Sequence, residues 1–225
     1  MSPATKLKPF FASVFLLLLT TISGAHSKTI TYENIPLQRA QIELTEEQLL
    51  NVGILIFDPN IPEKEQQLIF PEIRKAEARY IPYHLKTTLE NTGFWGGVWV
   101  IPENSEAMDL IVDGRIEVSN GLKVAVRIGV WDVTGKEWLN KVYETTVARN
   151  AYSQQRDLTQ DPYQSVYNKI ANDMLKMRNA LTSAKLRRIS EISDLRFAAE
   201  LVPGVYSDYL MQDEKNIYEA KRLPS

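Results

Sequence analysis

Two consecutive runs of alternating apolar and polar residues constrain the fold of this chain most strongly. Residues 110–118 put an apolar or small side chain at every second position, and residues 122–130 repeat the pattern after Ser119-Asn120-Gly121. Such alternation is typical of half-buried strands, and the Asn-Gly pair indicates a hairpin turn between them. The hairpin has one apolar face, which other elements of the chain must cover.

The register of this hairpin follows from keeping both apolar faces on the same side of the sheet. A three-residue loop with Gly121 in the left-handed region does so, whereas a two-residue loop would put the two faces on opposite sides. The longer loop is therefore predicted. The expected cross-strand pairs are Val118–Leu122, Ile116–Val124 and Val112–Ile128 on the apolar face, and Glu117–Lys123 and Asp113–Arg127 on the other.

The rest of the chain supplies further strands and helices around the hairpin. Short apolar runs at 52–57 and 97–102 predict buried strands on either side of a helical stretch at 72–91. Pro82 predicts either a kink in that helix or the start of a second one. Another strand is expected at 136–147. The expected fold is α+β, with a mixed, twisted sheet of four to five strands covered by helices.

Two helical stretches follow a polar loop at 148–160. The first, capped by Asp161, carries an apolar stripe from Tyr163 to Leu181 that suits the apolar face of the sheet. The second spans 183–201 and either folds back near Thr182 or projects. Because no Gly or Pro separates the two stretches, we expect a projecting arm that binds a partner. Its candidate contact residues are Leu186, Ile189, Ile192 and Leu195.

Residues 1–27 have the three parts of a secretory signal peptide. Lys6 and Lys8 precede an apolar run, and Ala25-His26-Ser27 supplies the small residues of a cleavage site. The apolar run is shorter than the roughly 20 residues that span a bilayer, so a retained membrane anchor is the less favoured alternative. We expect an exported, periplasmic protein with no transmembrane segment after cleavage.

The composition excludes several kinds of chemistry. Cysteine is absent, which excludes disulfides, thiolate zinc sites, cysteine nucleophiles and a lipoprotein anchor. His26 leaves with the signal, and His84 is expected to be a partly buried structural residue, because no Gly-x-Ser-x-Gly elbow accompanies it. Neither a metal nor a cofactor is expected. The formal net charge of −2 becomes −4 without the two leader lysines, which argues against nucleic-acid binding.

Three carboxylates raise the question of catalysis. Asp109, Asp113 and Glu117 stand at alternating positions of one predicted strand, where two acids could come close enough for a glycoside-hydrolase pair. The basic residues expected opposite them favour a solvated charge ladder instead. A carboxylate-dependent hydrolase is therefore the third of our functional hypotheses.

The tryptophans are candidate anchors for a partner or a sugar, because exposed aromatic side chains at turns and strand ends often serve this purpose. Trp99 and Trp138 are expected to fill the core. Trp95 is flanked by Gly93, Gly96 and Gly97, and we expect it to be exposed. It joins the helical residues above as a candidate interaction residue.

Two segments resemble a known family pattern. They are Met108-Asp-Leu-Ile-Val-Asp-Gly-Arg-Ile116 and Val130-Trp-Asp-Val-Thr-Gly-Lys-Glu-Trp138. They are similar to the α/β domain of the TolB amino-terminal part, the LpoB-type activators and the curli secretion protein CsgG, over about residues 51–181. Trp138 stands one residue early for that pattern. The resemblance implies a periplasmic domain that binds partners or forms pores without catalysis.

The expected organisation is a signal peptide (1–27), a loosely packed lead-in (28–50), an α/β sheet domain (51–181) and a helical extension (182–225). We expect a non-enzymatic accessory protein of bacterial envelope assembly that acts through protein–protein contact with an envelope partner. The alternative is a module that binds a glycan or small ligand. Leu223-Pro224-Ser225 leaves open that the chain belongs to a longer protein.

Overall fold

One five-stranded mixed sheet organises the protein. The computed structural model describes residues 35–62, 70–146 and 161–224. The strand order is β2-β1-β3-β4-β5; β1 runs parallel to β2 and β3, and β3, β4 and β5 form an antiparallel meander. This confirms the α+β class. The strands are β1 (Val52–Leu55), β2 (Val98–Ile101), β3 (Leu110–Ser119), β4 (Lys123–Asp132) and β5 (Glu137–Thr146).

Two helices, α1 (Pro71–Glu90) and α2 (Gln164–Asn179), cover one face of this sheet. Alternation along the strands turns one set of side chains towards them, and these are almost fully buried. Part of the predicted stripe is fully buried, namely Val166, Tyr167, Ile170 and Met174, and the rest (Tyr163, Met177, Leu181) is partly buried against the same core. The shared core is an apolar cluster that includes Val52, Ile54, Leu85, Leu89, Leu110, Val112, Ile116, Ile128, Val130, Tyr143, Ile170 and Met174.

Helix α1 continues through Pro82 as one helix, so a second helix does not start there. Proline has no N–H to donate to the carbonyl four residues earlier, which belongs to Ala78. That carbonyl instead accepts the N–H of Phe57 at 3.0 Å, just after β1. The missing helical hydrogen bond is thereby replaced by a tie between α1 and the sheet. Gly93, with φ of 70°, follows the helix end as expected.

Helix α2 starts later than predicted. The carboxylate of Asp161 accepts the N–H of Tyr163 at 2.7 Å, and the Asp161 carbonyl accepts the N–H of Gln164 at 3.1 Å. Asp161 therefore closes a turn before the helix rather than capping it, and the helix begins at Gln164.

The β3–β4 hairpin has Gly121 in the left-handed region, with φ of 79°, but the predicted three-residue loop and its strand pairs are wrong. Ile116 pairs with Val126 and Val112 with Val130. The turn sets Ser119 opposite Val124, a register that alone would put the apolar faces on opposite sides. A bulge between Ile116 and Val118 absorbs one residue and restores the alignment.

The shifted register also changes the predicted charge pairs. Glu117 accepts a hydrogen bond from Arg127 at 2.9 Å, and Lys123 pairs with Glu144 across β4 and β5 at 2.9 Å. Asp113 faces Gly129 rather than an arginine. The predicted pairs Glu117–Lys123 and Asp113–Arg127 are therefore not formed.

The described part of the lead-in, residues 35–50, is held at both ends, although nine of its sixteen residues are exposed. Leu50 is fully buried. The side-chain amides of Asn168 and Asn172 on α2 donate to the carbonyls of Ile35 and Pro36 at 2.7 and 2.9 Å. The guanidinium of Arg178, at the end of α2, donates to the carbonyl of Gln48 at 2.7 Å. Side chains of α2 thus hold this segment along the helix.

The extension folds back onto the domain, so the prediction of a projecting arm is wrong. Helix α2 ends at Asn179, and Thr182 caps α3 (Ser183–Leu201) by accepting the N–H of Lys185. The arm residues Leu186, Ile189, Ile192 and Leu195 are each at most 5% exposed and belong to the core cluster. The remaining elements are α4 (Pro203–Tyr206), β6 (Leu210–Gln212) and β7 (Tyr218–Ala220). Strands β6 and β7 pair in a small antiparallel sheet, and all three elements contact α3.

Helix α3 closes one end of the sheet, where the parallel strands β1, β2 and β3 begin. Ser193 donates to the carbonyl of Glu106, just before β3, and Arg196 pairs with Glu106 and with the carbonyl of Val133. These contacts fix α3 on the loops at that end. No helix among the described residues is long and apolar enough to cross a membrane.

Burial of α3 predicts a stability cost for changes on its inner side. Ile192→Ala should lower the free energy of unfolding by about 2–5 kcal/mol, because it removes fully buried methyl groups and leaves a cavity. Urea denaturation followed by circular dichroism measures this. Leu201→Ala on the same helix is the control, since that side chain is 65% exposed. Equal stability of the two variants would contradict the packing of α3.

Candidate functional site: the open face of the sheet

The face of the sheet that points away from α1 and α2 is covered by none of the described helices. We call it the open face. Its charged and aromatic side chains reach solvent: Trp99, Asp113, Arg115, Arg127 and Asn140 are exposed, and Trp131 is partly buried. The other members, in strand order, are Ile101 on β2, Gly53 and Leu55 on β1, Ile111 on β3, Gly129 on β4 and Val142 on β5.

Trp99 lies flat on this face, contrary to its expected place in the core. Val98 takes the covered side of β2, so the alternation of the strand turns Trp99 outward, where it is 44% exposed. A Cβ atom added to Gly97 would lie 1.6 Å from the six-membered ring of Trp99. The indole therefore rests on the glycine backbone, and its outer surface is free for contact.

Trp131 repeats this arrangement on β4. A Cβ atom added to Gly129 would lie 2.1 Å from the Trp131 ring, so this indole also lies over a glycine two residues before it. Any larger residue at Gly129 would lift the ring off the sheet. Both glycines thus allow the rings to lie parallel to the sheet surface rather than stand out from it.

The two tryptophans belong to one row across the sheet. Trp99 on β2 is in register with Gly53 on β1, Gly53 with Ile111 on β3, and Ile111 with Trp131 on β4. Three strand spacings separate the two backbones, which is about 14 Å. The row is therefore apolar along its length and has an indole ring near each end.

Polar side chains flank the Trp131 ring. Gly129, beneath the ring, is in register with Asp113 on β3 and with Asn140 on β5. Desolvation raises the pKa of Asp113, with a smaller contribution from the negative charge of Asp58. The ring thus lies between a carboxylate and a carboxamide, which together accept and donate hydrogen bonds.

The arginines of the open face are already engaged. Arg127 donates to Glu117 at 2.9 Å, and Arg115 donates to Asn60 at 2.6 Å and pairs with Asp58 at 3.5 Å. These groups form the charged end of the face, beyond the tryptophan row. The arrangement offers stacking surfaces and hydrogen bonds rather than free positive charge.

Trp95, which the sequence predicted to be exposed, is buried. It is 6% exposed, and its indole N–H has no hydrogen-bond partner among the described residues. The N–H of Gly96 donates to the carbonyl of Leu50, which turns the chain so that Trp95 enters the core. Trp138 is buried as predicted and donates to Asp132 at 2.8 Å. The candidate interaction residues, Trp95 and the four of α3, are all interior.

The predicted carboxylate row is divided. Asp109 is 3% exposed at the start of β3, and its carboxylate accepts the N–H of Asn51 at 2.7 Å. It lies at the base of a cleft of about 580 Å³ between the sheet end and α3, away from Asp113 on the open face. The described residues contain no group of acidic and histidine side chains suited to a metal ion.

His84 lies between α1 and α2. Its side chain is 28% exposed, its ring stacks on Tyr167 at 5.8 Å between centroids and lies 4.1 Å from that of Tyr80, and Nδ1 is 3.8 Å from a carboxylate oxygen of Asp161. This matches the partly buried residue that the sequence predicted. Asp161 also accepts a hydrogen bond from the Tyr80 hydroxyl at 3.1 Å, so the cluster joins the two helices.

Comparisons with known proteins do not assign a family. No family model matches the chain, and no curated protein matches it. A hypothetical protein from Chlamydia trachomatis, CT253, is 11% identical, with a TM-score of 0.35 over 58% of this chain and 99% of that one. A putative neuraminyllactose-binding hemagglutinin homolog from Helicobacter pylori is 12% identical, with a TM-score of 0.28 over 71% and 99%.

The sequence contains a pattern, beyond the tryptophans themselves, that predicts which of them lie on the open face. Gly-Val-Trp occurs twice, at 97–99 and 129–131, each time within a predicted strand. In a strand, the glycine and the tryptophan share a face and the valine takes the other. The tripeptide therefore predicts a ring that lies over a glycine on the side opposite a buried valine.

The environment of Asp109 makes stability depend on pH. Desolvation raises its pKa, and the Asn51 N–H offsets part of this effect. The folded protein then holds this proton more tightly than the unfolded chain. The contribution of Asp109 to the free energy of unfolding is therefore fully present below the ordinary carboxyl pKa of about 3.9 and is lost as pH rises through the raised pKa.

Asp109→Asn should remove this contribution to the pH dependence. Relative to the native protein, the variant should become progressively more stable as pH rises from about 4 through the raised pKa of Asp109. Urea denaturation at a series of pH values measures the difference. Glu103→Gln, in the exposed loop after β2, is the control. A stability difference that stays constant over this range would refute the assignment.

Proposed function

We propose that this chain is an exported, periplasmic, non-enzymatic binding protein that serves cell-envelope assembly by contact, and that the open face is its contact surface. The observation that carries the proposal is the pair of indoles, Trp99 and Trp131, that lie flat over glycines on an uncovered sheet face. Exposed tryptophans frequently dominate binding energy. Burial of the α3 residues, by contrast, removes the surface first expected to bind.

A catalytic role has less support. The carboxylates of β3 are divided between a buried end and the open face, and His84 is enclosed by aromatic rings beside Asp161. Two acids acting on one glycosidic bond would need to lie on a common cleft. The features that favour binding, namely flat rings and a rigid sheet beneath them, need no reacting group.

Site-specific photo-crosslinking in intact cells tests the contact surface. A photoreactive phenylalanine analogue replaces Trp99 in one variant and Tyr83, which is 60% exposed on α1, in the matched control. We expect a discrete adduct from position 99, on a protein or on envelope polymer, and none from position 83. Adding Trp131→Ala should reduce the adduct at position 99 by roughly tenfold, which corresponds to about 1.4 kcal/mol of binding energy.

Two outcomes would overturn the proposal. One is a normally exported and folded variant that gives no adduct from position 99. The other is the same set of adducts from positions 99 and 83, which would indicate random collision. Thermal melting of each variant provides the folding control, since neither side chain is part of the buried core.

A further inference from the structure

We infer that the tryptophan row binds a carbohydrate chain that carries no negative charge, with sugar rings stacked on Trp131 and Trp99. This rests on the proposed function and names its ligand class. The inference comes from three features of the row: the orientation of the rings, the polar groups beside Trp131 and the charge of the surface.

The orientation of the rings favours a flat ligand. Each indole extends along its strand over a glycine, so the side of the ring that points away from the sheet is a broad apolar surface. A protein hot spot usually inserts a side chain into a pocket, which a flat ring on a flat sheet does not offer. A pyranose ring has a face of C–H groups, and the negative face of an indole attracts their partial positive charge.

The polar groups are placed for hydroxyls. Asp113 and Asn140 stand on either side of Gly129, which underlies the Trp131 ring. A carboxylate accepts hydrogen bonds, and a carboxamide both donates and accepts. A sugar stacked on Trp131 would have its equatorial hydroxyls directed outward around its rim, towards these two side chains. The Asn140 amide already donates to Glu137 at 3.4 Å. An apolar ligand over Asp113 would desolvate its carboxylate and give no hydrogen bond in return, at a cost in binding energy.

The charge of the surface excludes anionic ligands. Arg115 and Arg127 are paired with Asp58 and Glu117, whereas Asp113 has no ion-pair partner among the described residues. Glu137, in register with Trp131, is also exposed. The surroundings of Trp131 are therefore negative, which repels acidic sugars and phosphates. A nucleic acid would need free cationic groups instead.

The separation of the rings sets the length of the ligand. The backbones of Trp99 and Trp131 are about 14 Å apart across the sheet, further than a single sugar ring extends. One monosaccharide can contact only one ring. An oligosaccharide laid across the strands can contact both rings. Between them it would cross the side chains of Ile101, Met108 and Ile111, which cover Gly53. Binding should therefore increase steeply with chain length.

Binding of defined oligosaccharides to the exported chain tests this inference. An array of uncharged and amino-sugar oligosaccharides is screened first, with uronic-acid oligomers as the anionic arm, and the hits are measured by calorimetry. We expect binding of an uncharged or cationic oligomer of four to six sugars, at least tenfold tighter than its monosaccharide. Trp131→Ala and Trp99→Ala should each weaken it at least tenfold and Asn140→Ala at least threefold, whereas Tyr83→Ala should leave it unchanged.

Three results would overturn the inference: no oligosaccharide binds, the uronic-acid arm binds more tightly, or binding is unaffected by Trp131→Ala in a folded variant. Crosslinking at position 99 distinguishes this failure from failure of the proposed function. A position-99 adduct on a protein with no sugar binding would refute the carbohydrate and leave the contact surface in place. Absence of both the position-99 adduct and oligosaccharide binding would refute the contact surface as well as its carbohydrate ligand.

Discussion

Burial of one face of the sheet against α1 and α2 is the constraint on which the rest of this structure depends. Period-two alternation makes every strand contribute half of its side chains to that core. The remaining half must then lie on the other side, whatever their chemistry. Trp99 is outward because Val98 is inward, and Trp131 is outward because Val130 is inward. The outward position of both tryptophans on the open face is therefore a direct consequence of how the core is formed.

One end of the sheet is closed by a different helix from those that cover its buried face. Helix α3 places its apolar side chains over the end where the parallel strands begin, and polar contacts from Ser193 and Arg196 fix it to the loops there. The lead-in is held on α2 by side-chain amides. These contacts lie at the sheet end and on α2, away from Trp99 and Trp131 on the open face.

The sequence predicted the strands and helices well because alternation and helical spacing are local signals. It failed in three places. The hairpin register depended on a bulge at Glu117, and α1 passed Pro82 because Phe57 took the carbonyl of Ala78. Helix α3 folded back at Thr182, which was the less favoured of the two alternatives predicted from the sequence. Of the three, only the Phe57–Ala78 hydrogen bond joins residues far apart in the sequence.

The candidate site was missed for a related reason. The flanking glycines suggested that Trp95 was exposed, and Trp99 was expected in the core. The exposure of a strand residue, however, depends on whether it alternates with buried neighbours and so points to the opposite face of the sheet. Val98 is buried, so Trp99 points to the open face, and the turn at Gly96 directs Trp95 into the core. The repeated Gly-Val-Trp tripeptide could have predicted the outward position of Trp99, whereas the burial of Trp95 could be seen only in the folded structure.

Oxidative footprinting of the four tryptophans tests the central claim that one face of the sheet is open. The native protein is treated briefly with hydroxyl radicals, and modification of each tryptophan is quantified by peptide mass spectrometry. The account predicts that Trp99 is modified fastest and Trp131 next, with Trp95 and Trp138 protected until the protein is unfolded in urea. Protection of Trp99 to the level of Trp95 and Trp138 would contradict an open face and remove the basis for binding there.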